Sequence, residues 1–225
     1  GAGYNDGKVE VFRGNGGSDH INGGSGMDRA HYTSSTVGVN VVLDIGDGTG
    51  RAYNDGVFLA GGVQGEDTLV RIEGIRGSEF NDSLVGTDRD DFATVGYMEF
   101  FEGRGGNDTI DGRGGIDAAY YTTSRASVVV NLATGTASDG YGTTDKLLNI
   151  ENVRGSAFND TIVGNVGNNL LEGGHGNDRI EAGAGNDTLL GGAGADNLHA
   201  GAGNDTIDGG VTLDRINYTD GNTLN

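Results

Sequence analysis

Residues 173–208 read GGHGNDRIE AGAGNDTLL GGAGADNLH AGAGNDTID, four consecutive nine-residue units in one register. The register extends in both directions without a slip, so that seven units fill residues 155–217. Aspartate or asparagine holds the sixth position of every unit, and isoleucine or leucine holds the eighth. Such regularity predicts a repeat architecture in which every unit forms the same short element and stacks on its neighbours.

The residue types in the unit G-G-x-G-x-D-x-U-x, where U is isoleucine or leucine, have a physical interpretation. Glycines permit positive φ and a tight turn whose carbonyls can point to one centre, and the last three residues predict a short strand with the eighth side chain inward. Two units make one coil, so each turn stacks about 4.8 Å from the turn two units later. About six carbonyl and carboxylate oxygens suit Ca²⁺, whereas Mg²⁺ prefers a rigid octahedron. The pattern therefore predicts several calcium ions held between stacked turns.

Shorter arrays lie upstream, at residues 14–31, 77–94 and 103–120. A longer period is also present, because related segments begin at Asp28, Asp117 and Asp214, 89 and 97 residues apart. After the first two, apolar residues alternate over 37–43 and 128–132, which predicts half-buried strands. The third copy stops after a few residues, which favours a fragment of a longer array.

These periods predict the domain organisation. We expect β-roll segments at 1–31, 77–120 and 155–217, β inserts at 32–76 and 121–154, and the start of a truncated third copy at 218–225.

The composition limits the possible partners. Of 225 residues, 46 are glycine, none is proline or cysteine, and 34% are apolar, so a large hydrophobic core is not expected. The net charge of −19 opposes binding to nucleic acid or anionic lipid, and no apolar run is long enough for membrane insertion. A cation partner is the remaining expectation. The four histidines are scattered, which disfavours zinc, and we expect them to be exposed.

The nonapeptide closely resembles the repeats of the RTX (repeats in toxin) family of calcium-binding β-roll proteins, most strongly over residues 155–217. The resemblance implies an all-β fold, a right-handed parallel β-roll (nonapeptide solenoid) interrupted by two small β inserts. In that family the aspartate carboxylate and the carbonyls of the first four unit positions ligate Ca²⁺. Carried over to this sequence, the implied metal ligands are Asp19, Asp28, Asp82, Asp91, Asp108, Asp117, Asp160, Asn169, Gly174, Gly176, Asp178, Gly183, Gly185, Asp187, Gly192, Gly194, Asp196, Gly201, Gly203, Asp205 and Asp214.

Stacking at an 18-residue spacing predicts which aspartates share an ion. The expected pairs are Asp160 with Asp178, Asp178 with Asp196, Asp196 with Asp214, Asp187 with Asp205, and, more weakly, Asn169 with Asp187. Asp19 with Asp28 is an isolated pair.

Several positions depart from the pattern. Glu10 and Glu99 replace the sixth-position aspartate and are expected to bind poorly. Phe80 and Phe158 replace the fourth-position glycine and are interpreted as end caps. A segment from Asp44 to Asp47 suggests an acidic loop but lacks EF-hand spacing.

No catalytic set stands out from the repeat, since the sequence contains no His-Glu-x-x-His, no Gly-x-Ser-x-Gly and no cysteine. We expect a non-enzymatic module whose cofactor is calcium and whose possible partners are copies of itself or neighbouring repeats in a longer chain. The resemblance implies type I secretion and a secreted or cell-surface location, with an adhesin, surface-layer or matrix scaffold as the leading role.

Other interpretations remain open. Alginate epimerases and alkaline proteases carry similar rolls, so the alternative is an accessory module of a polysaccharide-active enzyme or protease. The turns could also be plain solenoid corners with solvated aspartates, and the recurring threonines could form an ice- or polymer-binding row.

Overall fold

A computed structural model describes residues 10–14, 17–24, 26–43, 50–53, 65–88 and 98–217. All regular elements in these ranges are β-strands, which confirms the predicted fold class. The same ranges hold no helix that could cross a membrane. The chain divides into two compact units, Gly1–Ala118 and Ala119–Asn225, and each is described separately.

The first unit contains the strands β1 (Val11–Phe12), β2 (His20–Asn22), β3 (Arg29–His31), β4 (Asn40–Val42), β5 (Gly50–Tyr53), β6 (Glu66–Val70), β7 (Gly74–Arg76), β8 (Ser83–Val85), β9 (Glu99–Glu102) and β10 (Thr109–Asp111). Strand β11 (Asp117–Tyr120) spans the boundary between the units in the sequence. Strands β1, β3, β7 and β9 are consecutive in one sheet, and the order β2-β6-β5-β4-β8-β10 forms the other.

The second unit contains β12 (Val129–Asn131), β13 (Thr136–Ser138), β14 (Thr144–Leu148), β15 (Asn152–Arg154), β16 (Thr161–Val163), β17 (Leu170–His175), β18 (Arg179–Ala184), β19 (Thr188–Ala193), β20 (Asn197–Ala202), β21 (Thr206–Val211) and β22 (Arg215–Asn217). One sheet has the order β15-β17-β19-β21, and the other has the order β14-β13-β12-β16-β18-β20-β22.

Strands of the long array pair in parallel at the spacing predicted for stacked coils. Leu171 lies opposite Leu189 in the first sheet, and Ile180 lies opposite Leu198 in the second. Alternate units therefore belong to opposite sheets, which confirms the β-roll. Strands β17 to β21 each have six residues rather than the expected three, because the first residues of the next unit also pair, as Gly174 does with Gly192.

Eighth-position side chains fill the space between the two sheets. In the second unit, the fully buried residues at this position are Ile162, Leu171, Ile180, Leu189 and Leu198. Their neighbours on either side point outward, as the alternation along a strand requires. In the final coil, by contrast, Ile216 is 41% exposed. This narrow core is small for the length of chain that it orders, so other interactions must stabilise the roll.

Each insert contributes a three-stranded antiparallel segment. Strand β5 pairs antiparallel with β4 and β6, and β13 pairs antiparallel with β12 and β14. Strand β4 also pairs in parallel with β8, and β12 with β16. Strands β6 and β7, within the predicted 32–76 insert, pair in parallel with β2 and β3, so this part of the chain already stacks on the roll.

The expectation that all four histidines are exposed is wrong for His31. This side chain is buried beside Arg76, whose Nε lies 3.0 Å from a carboxylate oxygen of buried Glu102. Burial, followed by the charges of Arg76 and Arg29, lowers the pKa of His31 to about 4. His31 is therefore neutral at pH 7, and neither of its ring nitrogens has a hydrogen-bond partner.

Candidate calcium sites

Glycines at the second and fourth unit positions shape the turns of the long array. The eight predicted to be ligands have φ between 89° and 142°, and they are Gly174, Gly176, Gly183, Gly185, Gly192, Gly194, Gly201 and Gly203. Successive turns also approach closely, because a Cβ on Gly194 would lie 1.6 Å from the carbonyl oxygen of Gly176. Only glycine combines this conformation with this separation. The turns therefore stack with their backbones, including their carbonyls, in direct contact.

The sixth-position residues form a hydrogen-bonded ladder along each edge of the long array. Each carboxylate Oδ1 accepts the backbone N–H of the sixth-position residue one coil earlier, 18 residues before it. The N–H groups of Asp160, Asn169, Asp178, Asp187 and Asp196 donate in this way to Asp178, Asp187, Asp196, Asp205 and Asp214, at 2.8, 2.8, 2.8, 3.0 and 2.9 Å. The ladder brings together the pairs that the 18-residue spacing predicted.

The second carboxylate oxygen of three ladder residues remains unsatisfied. Asp178, Asp187 and Asp196 are 2%, 1% and 2% exposed, and the Oδ2 atom of each is buried without a hydrogen-bond partner. An unpaired carboxylate oxygen in a buried position is costly unless a cation or a donor satisfies it. These oxygens thus mark where a cation would be held.

The electrostatics of the ladder carboxylates also favour a bound cation. Burial, together with the neighbouring charges of Asp160 and Asp196, raises the pKa of Asp178 to about 7. Burial also raises the pKa of Asp187 and Asp196, with contributions from Asp205 and Asp214 respectively. Stacked carboxylates that repel each other in a partly buried edge favour a bound positive charge.

The donor set fits calcium. No group of three or more His, Cys, Asp or Glu side chains converges anywhere in the described ranges, so an ion here must draw most of its ligands from the backbone. Carbonyl oxygens with one or two carboxylates match the hard, flexible coordination of Ca²⁺ and lack the nitrogen or sulfur that zinc prefers. Bound calcium would neutralise the stacked carboxylates. Asp178, Asp187 and Asp196, with the glycine turns beneath them, are the residues best arranged to hold it.

The upstream aspartates lie immediately before a strand or at its first residue. Asp28 and Asp117 are buried, and Oδ1 of Asp28 accepts the N–H of Glu10 at 3.0 Å. Asp108 is buried as well, and its Oδ1 accepts the N–H of Asp82 at 2.8 Å, so the ladder pattern recurs. Asp19 and Asp28 precede β2 and β3, which belong to different sheets, so the structure places them on opposite edges.

Some positions named from the sequence are engaged differently or are not described. Oε2 of Glu99 accepts the N–H of Thr87 at 2.8 Å. Phe80 and Phe158, 45% and 42% exposed, belong to the first turn after each insert. Asp91 and the segment from Asp44 to Asp47 lie outside the described residues.

Asp67 is a ladder residue that the sequence reasoning missed. It is fully buried, and its Oδ1 accepts the N–H of Asp19 at 2.9 Å across 48 residues. Because an insert replaces the 18-residue spacing with one of 48, a search for consecutive units passes over it. The signal was nevertheless present, since residues 62–70 read GVQGEDTLV, which matches the unit at its first, fourth, sixth and eighth positions.

Stacked glycine turns and an edge ladder of carboxylates define a calcium-binding β-roll. The family model for the RTX calcium-binding nonapeptide repeat matches four segments, residues 4–31, 99–118, 154–189 and 190–223, which together cover more than half of the chain. The chain therefore belongs to the RTX calcium-binding repeat family, and its repeats form a structural calcium-binding module. No curated protein matches the chain.

Proposed function

We propose that this chain is a calcium-folded, non-catalytic structural segment of a large secreted or cell-surface bacterial protein, acting as an adhesin, surface-layer or matrix scaffold. The observation that carries the proposal is the set of buried, unpartnered Oδ2 atoms on Asp178 and Asp196 along one edge and on Asp187 along the other. Calcium at these atoms would couple ion binding to folding, because the stacked site does not exist in the unfolded chain.

The location follows from the same coupling. RTX repeats are typical of secreted bacterial proteins, and type I secretion followed by folding in calcium outside the cell is the corresponding route. A chain that stays unfolded until it meets calcium would cross an export channel before it folds.

The outer face of the roll supports an assembly role rather than a catalytic one. Outward positions on the long array carry polar side chains such as Glu172, Glu181, His199 and Asp208. The recurring aspartates are accounted for by ladder hydrogen bonds and the expected ions. A scaffold needs a regular surface that bound calcium makes rigid, and stacked repeats form such a surface.

The test compares folding, assembly and turnover in one preparation. Circular dichroism should show little strand signal in EGTA and a cooperative gain as calcium rises, and light scattering should then report reversible assembly. Asp178→Asn should shift both transitions to higher calcium, whereas the surface variant Glu181→Gln should not. The calcium-loaded chain should leave alginate and casein intact. Turnover that survives purification would contradict the scaffold, and binding to alginate without assembly would favour the accessory-module alternative.

A further inference from the structure

Among the turns whose second and sixth positions are both described, three have neither glycine nor positive φ at the second unit position. They carry Ser78, Ser156 and Asn165 there. In each turn the second-position N–H reaches the side chain at the sixth position. Ser78 donates to Oδ2 of Asp82 at 2.6 Å, Ser156 to Oδ2 of Asp160 at 2.6 Å, and Asn165 to Oδ1 of Asn169 at 3.0 Å.

At Asp160 the protein's own donors occupy both carboxylate oxygens. Besides its N–H, Ser156 uses its hydroxyl, which lies 2.7 Å from Oδ1 and 3.0 Å from Oδ2. The N–H of Val128 adds a fourth bond, to Oδ1 at 2.8 Å. Ser156 and Asp160 are 5% and 2% exposed, so an ion would have to displace buried hydrogen bonds to bind there.

The first compact unit of the chain, Gly1–Ala118, repeats this arrangement. Oδ1 of Asp82 accepts the Ser78 hydroxyl at 2.7 Å and the N–H of Val39 at 2.8 Å. The same turn thus occurs twice, each time directly after an insert. Two independent copies with the same bonds indicate a defined structure rather than a degenerate repeat.

The turns of the long array that have glycine at the second position show the opposite arrangement. Gly174, Gly183 and Gly192 have φ of 107°, 110° and 103°, and the Oδ2 atoms of Asp178, Asp187 and Asp196 in the same turns have no partner. Glycine itself is not required, because Arg104 and Arg113 hold the second position with φ of 81° and 64°. Backbone conformation at this position is what separates the two classes.

We propose that the backbone conformation at the second unit position decides whether a turn binds calcium, and that the turns of Asp82, Asp160 and Asn169 are closed by hydrogen bonds and hold no ion. Asp82 and Asp160 bond to the amides of Val39 and Val128, so the closed turns join each insert to the roll without metal. The inference uses calcium binding by the remaining repeats and is independent of the scaffold role.

The first test counts calcium ions per chain by equilibrium dialysis on the full chain. Asp178→Asn should lose at least one ion, whereas Asp160→Asn and Ser156→Ala should keep the wild-type number. Asn165→Gly with Asn169→Asp restores the full consensus in residues 164–169 and should gain one ion. Loss of an ion from Asp160→Asn equal to that from Asp178→Asn would overturn the proposal. So would an unchanged count in the double variant.

The second test uses hydrogen exchange in EGTA, which does not depend on ion counting. Amides of residues 128–131 and 161–163 should remain better protected than those of residues 179–202. Ser156→Ala should remove that protection, and the matched hydroxyl deletion Thr134→Ala, at an exposed turn, should not. Equal exchange of both segments in the wild-type chain would refute a metal-free junction.

Discussion

Each ladder carboxylate accepts a backbone hydrogen bond at Oδ1 and carries a charge at Oδ2. A conservative substitution can remove the charge and keep the hydrogen bond. In Asp196→Asn the amide oxygen can still accept the N–H of Asp178, now at 2.8 Å, but the charge at the buried Oδ2 is lost. Because ligand charge sets calcium affinity, we expect the calcium midpoint of folding to rise about tenfold, or about 1.4 kcal/mol. Circular dichroism titrations measure it. Glu181→Gln, beside Arg179 on the outer face, is the control, and equal midpoints would contradict the assignment.

Protons should compete with calcium at Asp178. Its folded pKa is about 7 against an ordinary 3.8, so the folded calcium-free chain binds a proton more tightly than the unfolded chain does. Stability without calcium should therefore be highest below about pH 4, fall as the pH rises towards 7, and stay low above it. In EGTA the strand signal in circular dichroism should therefore be stronger at pH 5 than at pH 8. Asp178→Asn should narrow that difference, and a strand signal that rises with pH would be inconsistent with the shift.

The register of the repeat largely predicted which side chains belong to the ladder. It did not predict which of their carboxylate oxygens are already occupied by hydrogen bonds. The sixth-position pattern located Asp178, Asp187 and Asp196 correctly at stacked turns. It treated Asp160 as their equal, because the pattern does not register that a serine with negative φ turns its N–H towards the carboxylate. Asp67 was missed because an insert changes the spacing between stacked coils from 18 residues to 48.

Turns are the elements whose backbone the sequence constrains most tightly. Gly194 has φ of 135° and faces the Gly176 carbonyl, so the Cβ in Gly194→Ala would be strained and would clash with backbone. We expect calcium-saturated stability to fall by at least about 2 kcal/mol. Gly167→Ala is the matched control, because this fourth-position glycine is exposed and lacks positive φ. It should change stability by less than about 0.5 kcal/mol. Equal losses in urea unfolding would show that the turn conformation is unimportant.

The sequence pattern did not predict the full length of the strands in the long array. The apolar eighth position predicted three-residue strands, and β16 and β22 have that length. In β17 to β21 pairing continues into the glycines of the following turn, as between Gly183 and Gly201. Glycine has no inward or outward side chain, so hydrophobic alternation carries no signal there, although the backbone still pairs.

At the scale of the whole molecule, the number of ions should be readable from the calcium dependence of stability. Each ion that binds only the folded chain adds about 1.4 kcal/mol of unfolding free energy per tenfold rise in free calcium above its dissociation constant. The Oδ2 atoms of Asp178, Asp187 and Asp196 alone imply more than one ion, so the slope should be at least twice that value. Urea unfolding at several buffered calcium concentrations gives the slope directly. Magnesium, which fits carbonyl-rich turns poorly, should give a much shallower one. A calcium slope of about 1.4 kcal/mol or less would mean that a single ion stabilises the chain, and the ladder would then be mainly a hydrogen-bonded structure.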